Sequence, residues 1–233
     1  MSEVVVVDMY SEDRTVEIAR SVGATVHLTE RRPFVDPTRN FAIAQATGDW
    51  ILLLDADERL TPKLATELGI IAEKGLADVV RIYFDTFMFG EHIRYCGWQG
   101  DSHYRFFKKG FLEYPNEEVH AKPKIRGRQL ILAPEKGKIQ HFNFQDLRHL
   151  IMKINDYTDG EALKLLRGNG KITPIRGVCW GLSHFSKRYF KMRGFKDGKY
   201  GFILSVVMGF YWFLAFAKAL EKKQRGYRQG LSR

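Results

Sequence analysis

Three carboxylates, Asp55, Asp57 and Glu58, fall within four residues at the end of an apolar run, Trp50 to Leu54. Like charges this close repel one another, and each resists burial. Asp-x-Asp also sets two hard oxygen donors on one side of an extended turn. Mg2+ or Mn2+ takes a few such carboxylates and fills its other positions with water or phosphate. Three readings are open. The acids hold a divalent cation that carries a phosphate ligand, they form a metal-free acid/base pair, or they make a polar turn that starts the next helix, where acids suit the dipole. An apolar strand before the turn and a second strand-end acid, Asp8, weigh toward the metal, because ligands in parallel α/β sheets bind beyond the strands' carboxyl ends.

The elements that must position these residues follow from patterning. Val4 to Val7 reads as a buried strand ending at Asp8, followed by a helix over 13–22 with an apolar face of Ile18, Ala19 and Val22. "ATVHL" is a short strand, "TRNFAIAQAT" a helix closed by Gly48, and Trp50 to Leu54 a strand. In "TPKLATELGIIAEKG" Thr61 caps a helix, Pro62 takes its first position and Gly75 ends it. Alternating strands and helices predict a parallel α/β core in which Asp8 and Asp55 share one crevice. From Asp78 to about Phe142 the pattern turns antiparallel, with strands in "DVVRIYFDTFMF", "HIRYCGW", "SHYRFFKKG" and "QLILA". Helices over about 146–166, 174–192 and 199–224 close the chain.

The chain has 233 residues and a net charge of +10. Twelve Lys/Arg against two acids lie between His184 and Arg233, and the first 183 residues sum to zero. A charge confined to the tail argues against a nucleic-acid-coated protein and for one surface facing something anionic. Two cysteines, Cys96 and Cys179, lack metal-type spacing and fit a reduced, cytosolic compartment. "MSEVVVVDMY" carries no signal-peptide pattern.

The stretches "VVVVDMYSEDRTVEIARSVGATV", "RNFAIAQATGDWILLLDADERLTPKLATEL" and "RGFKDGKYGF" together resemble family 2 glycosyltransferases of the GT-A fold. The resemblance is greatest to a bacterial branch similar to lipopolysaccharide-core glucosyltransferases. It implies an α/β fold: a mixed, mainly parallel sheet flanked by helices, then a helical membrane-associated extension. It implies that Asp8 contacts the donor nucleoside and that Arg39 and Asn40 lie near the nucleotide and the acidic turn. Asp57, with Asp55, would bind Mn2+ or Mg2+ through the donor diphosphate; Asp55 would otherwise hold ribose or metal-bound water. The branch carries its general base just after a Val-His pair, but here Ala121 follows Val119 and His120. Glu118, then Glu117 and Asp101, are the substitutes, each also readable as an exposed loop acid. His120 would bind diphosphate or orient the acid. The family normally opens with a further strand, so this chain is expected to lack the first strand of the sheet and to be less stable and less active for it.

The expected division is a catalytic domain over 1–144 and a helical region over 145–233. "YGFILSVVMGFYWFLAFA" (200–217) is uncharged and eighteen residues long, the lower edge for a membrane span. Basic clusters flank it on both sides. A single span would place one of them outside, against the positive-inside tendency. The expectation is therefore a helix lying in or re-entering the inner leaflet through residues 187–228, with spanning and protein-packing as alternatives. Trp98 would line the acceptor site, and Phe106 and Phe107 would be core. The activity expected is inverting transfer from a nucleotide-sugar, most simply a UDP-sugar, to a lipopolysaccharide-core, lipid-linked or envelope glycan. The alternatives are an impaired transferase acting as a membrane-associated scaffold, and a nucleotidyltransferase, against which the lack of a G-x-x-x-x-G-K-[ST] loop counts.

Overall fold

A computed structural model describes residues 2–31, 36–98, 100–115, 122–168 and 170–230. In chain order these are β1 (Val5–Asp8), α1 (Thr15–Ser21), β2 (Thr25–Leu28), α2 (Asp36–Gln45), β3 (Trp50–Leu52), β4 (Glu58–Arg59) and α3 (Pro62–Lys74). Next come β5 (Val79–Met88), β6 (Glu91–His92), β7 (Ser102–Lys108), β8 (Leu112–Glu113), β9 (Lys124–Ile125), β10 (Gln129–Ile131) and β11 (Ile139–Phe144). Three helices end the chain: α4 (Leu147–Arg167), α5 (Pro174–Ser186) and α6 (Gly198–Gly230).

The chain divides into two units, one of residues up to Tyr83 with Ser102–Ile139, the other of Phe84–Asp101 with Gln140–Arg233. The sequence placed the change at 144. In the structure residues 84–101 join the helical unit, because Met88, Ile93 and Cys96 are buried with Leu150, Ile154, Leu204 and Val207 in one apolar cluster.

In the first unit, β5 is the spine. Its alternating residues bury Val80, Ile82 and their neighbours, and its start pairs antiparallel with β7 and parallel with β10. β3 pairs antiparallel with β7, Ile51 opposite Phe107. This differs from the parallel core that strand–helix alternation predicted: β3 takes β7 as its partner, with Trp50 stacked on Phe106 at 4.6 Å. Phe106 and Phe107 are both buried, as expected of core residues. β1 and β2 pair in parallel as a two-stranded sheet of their own. The burial expected of β1 and α1 is not met. Val5 to Val7 are half-buried, Ile18 of α1 is 54% exposed and Val22, just past its end, 74%, and α1 buries no residue.

Helix α3 follows its local signals closely. The Thr61 hydroxyl accepts from the Leu64 N–H, Pro62 opens the helix, and Gly75 closes it at φ 58°, where a side chain would be strained. Its face of Leu64, Leu68 and Ile71 is buried. Asp78 then ties three segments: it accepts from Lys108 Nζ at 2.8 Å and from the Arg128 N–H at 2.8 Å, just ahead of β5.

In the second unit, β6 folds back on the end of β5, and Phe87 stacks on Phe142 at 5.0 Å. The Asp146 carboxylate caps α4 by accepting from the His149 N–H. The helix expected over 174–192 is α-helical only to Ser186; residues 187–191 widen into a π turn. Both cysteines are free, Cys96 buried and Cys179 exposed.

Candidate active site

The acidic turn after β3 is closed by its own members. The Glu58 N–H donates to the Asp55 carbonyl at 3.0 Å, and the Asp55 N–H donates to Glu58 Oε2 at 2.9 Å. Glu58 is buried, with its side chain 1% exposed. A carboxylate at that depth needs a cation, and Arg105 of β7 supplies it through an Nη2 contact to Glu58 Oε1. The same Nη2 reaches Asp55 Oδ2 at 2.7 Å. Arg39, near the start of α2, donates to that same oxygen, also at 2.7 Å. Two guanidiniums thus converge on one oxygen of Asp55, while Asp57 is exposed beside them.

Burial by itself pushes the Asp55 carboxyl up, but the charges of Arg105 and then Arg39 outweigh it, and the group sits below the usual carboxylate range. For Arg105 burial disfavours the cation, and Asp55 and Glu58 more than restore it, so its pKa is raised. Asp55 and Arg105 therefore face each other as a charged pair at neutral pH.

Asn40 fixes α2 on the other side. Its amide donates to the Tyr114 carbonyl at 2.7 Å and accepts from the Tyr114 N–H at 2.9 Å, imitating a strand pair. The Tyr114 ring lies under the Arg39 guanidinium at 5.3 Å. Thr38, buried one residue earlier, donates to Met9 Sδ at 3.7 Å. The end of β1, the start of α2 and the acidic turn are linked in this way. Asp8 is 5% exposed, and its two oxygens accept from the Ser11 N–H and hydroxyl. That contact makes Asp8 the former of the turn after β1.

The structure thus brings Arg39, Asn40, Asp55 and Asp57 together, with Asp8 tied to them through Met9 and Thr38. Glu117, Glu118 and His120 lie outside the described residues. Asp101 belongs to the second unit, where its carbonyl accepts from the Phe84 N–H. The face of Trp98, expected at the acceptor site, is covered by the Arg188 guanidinium at 4.5 Å. Arg105 and Tyr114 were not singled out from the sequence. The available signal for Arg105 was a lone cation in the apolar stretch "RFF", whose place in the site depends on strand pairing across 50 positions.

A hard divalent cation takes carboxylate oxygens. Asp57 presents an exposed carboxylate at the turn, whereas Asp55 Oδ2 is committed to two guanidiniums.

The model of glycosyl transferase family 2 matches residues 2–127, more than half of the chain. The chain belongs to that family, and its mixed sheet, flanking helices and long apolar C-terminal helix are the fold class expected from the sequence. An uncharacterized glycosyltransferase of Rickettsia typhi is 28% identical over 94% of this chain and 78% of its own length. One from Rickettsia bellii is 29% identical over 94% and 77%. A TPR repeat-containing protein of Synechococcus elongatus is 48% identical over 68 residues, 29% of this chain. Among solved structures, S. aureus TarS aligns at a TM-score of 0.45 and 16% identity, covering 84% of this chain and 40% of that longer one.

Proposed function

We propose that this glycosyltransferase of family 2 is a metal-dependent, inverting enzyme that takes its sugar from a UDP-sugar. The observation that supports this reading is the acidic turn itself: Asp55 clamped by Arg39 and Arg105, with Asp57 exposed at its side. Asp57 would hold Mn2+ or Mg2+ together with the donor diphosphate. Such an ion, when bound, supplies Lewis-acid neutralisation of the charge that grows on the leaving nucleoside diphosphate. Arg39, fixed over Tyr114, adds a second positive group on the nucleotide side. Asp55 orients that guanidinium and keeps the turn's shape constant through the reaction. Asp8, at the end of β1, would contact the nucleoside. His120 would bind diphosphate or orient the acid. Glu118 is the preferred base for the acceptor hydroxyl, with Glu117 and Asp101 as the other candidates, since inversion needs a carboxylate on the far face of the donor sugar.

The acceptor class proposed is a lipopolysaccharide-core, lipid-linked or envelope glycan at the inner face of the cytoplasmic membrane. The apolar α6, long enough to cross or enter a bilayer, favours an acceptor held at a membrane. The test is UDP release from a panel of UDP-sugars in the presence of envelope glycolipids. Release that requires manganese, stops with a chelator and falls by about a hundredfold or more in Glu118→Gln supports the proposal. Release indifferent to chelator, or unchanged in Glu118→Gln, Glu117→Gln and Asp101→Asn alike, counts against it.

A further inference from the structure

The helical unit carries a second surface, apart from the acidic turn, on α5 and α6. On α6, Phe202, Val206, Phe210 and Phe213 are all exposed, spaced four, four and three apart, and thus form one stripe. On α5, Ile175, Val178 and Leu182 form another exposed apolar stripe. The two helices pack antiparallel and unusually close. A side-chain carbon on Gly181 would meet the Gly209 carbonyl at 2.9 Å, and one on Gly177 would meet Phe216 at 2.9 Å. Small residues at a helix contact are what lets backbones approach in this way.

These contacts, taken with the helical period, put the two stripes on one side of the pair. Trp180 and His184 meet Trp212 on one flank of the helix pair. Phe185 meets Phe202 on the other flank, the one that leads round to Val178 and Leu182 on α5 and to Val206 and Phe210 on α6. A cleft of about 320 Å³ lies between the helices, with Pro174, Gly177, Phe213 and Leu220 among its walls. At the α5–α6 turn the surface continues as exposed Phe190 and Phe195, both packed on Tyr189, which also touches Phe202. Interleaved with them are exposed Lys187, Lys191, Arg193, Lys196 and Lys199.

We infer that this face lies in the plane of an anionic lipid surface, with both stripes in one leaflet and the lysine-rich turn at the headgroups. Charge and length choose this arrangement. Helix α5 has 13 residues, about 20 Å of helix, against the roughly 30 Å of a hydrocarbon core. Tip-first insertion would carry the basic turn into hydrocarbon, where each cation is costly. The turn is also bolted to the rest of its unit. Asp197 accepts from the N–H groups of Arg94 and Tyr95, and Arg188 donates to the Cys96 carbonyl while stacking on Trp98. Lying flat, the helices bury their apolar stripes while the basic residues reach lipid phosphates. This inference does not depend on the transferase reading.

The test is sedimentation of the full chain with phosphatidylcholine vesicles, with and without phosphatidylglycerol. Binding only to the anionic vesicles, weakened by salt and released by alkaline carbonate, is expected. Val206→Glu/Phe210→Glu should bind at least about tenfold more weakly with an unchanged circular-dichroism melt. If that variant misfolds, Lys187→Glu/Lys191→Glu should show the same loss. Equal binding to both vesicle types, retention through carbonate, or a lipid-free dimer that vesicles leave intact would overturn the inference.

Discussion

At the scale of single residues, the acidic turn depends on Arg105 more than on any of its own carboxylates. Arg105 is the cation shared by buried Glu58 and half-buried Asp55. Arg105→Met should cost about 3–5 kcal/mol in urea unfolding, because it takes the cation away from the buried Glu58 carboxylate. Adding Glu58→Leu should recover much of that loss, since the buried charge is then gone. A single variant as stable as the parent would mean the pair carries no structural weight. The acids were legible in the sequence because Asp-x-Asp-Glu sits next to its own strand. Their partner was not, because nothing local to Arg105 says that β7 will lie beside β3.

At the scale of elements, two devices can be tested separately. Asp78 joins the start of β5 to Lys108 and Arg128. The Lys108 hydrogen bond first, then the Arg128 N–H, hold its carboxyl at about 2. A carboxylate depressed in the folded state contributes fully above its unfolded value of about 4. Stability from this clamp is therefore present above that pH and is lost as pH falls toward about 2. Asp78→Asn should flatten that part of the acid-unfolding curve; an unchanged curve would remove Asp78 from the explanation. The second device is the glycine contact between α5 and α6. Gly181→Val would drive a side chain into the Gly209 carbonyl. It should destabilise the helical unit by about 1–3 kcal/mol in thermal unfolding, with tryptophan emission shifted as Trp180 and Trp212 separate. Helix limits set by local chemistry, such as Thr61, Pro62 and Gly75, could be read directly from the sequence. The pairing of β3 could not, because it is decided by contact with a distant segment, β7.

At the scale of the whole molecule, one chain carries two kinds of chemistry: an acidic turn in one unit and an apolar, lysine-edged face in the other. The charge asymmetry was visible in the sequence as a neutral first 183 residues and a tail of +10. The apolar stripes were visible only as an uncharged run. Which of its residues stay exposed is settled by the packing of α4 and α5 against α6. The exposure of Ile18 and Val22 was likewise hidden, since an apolar helix face looks the same whether or not a layer covers it. The central claim is that the acidic turn binds a metal–diphosphate. It is tested most directly by calorimetric titration of UDP, with and without manganese, into the parent chain and Asp57→Ala. Manganese-dependent heat that Asp57→Ala loses while keeping the parent's circular dichroism is the expected result. UDP binding that ignores manganese, or survives unchanged in Asp57→Ala, would contradict it.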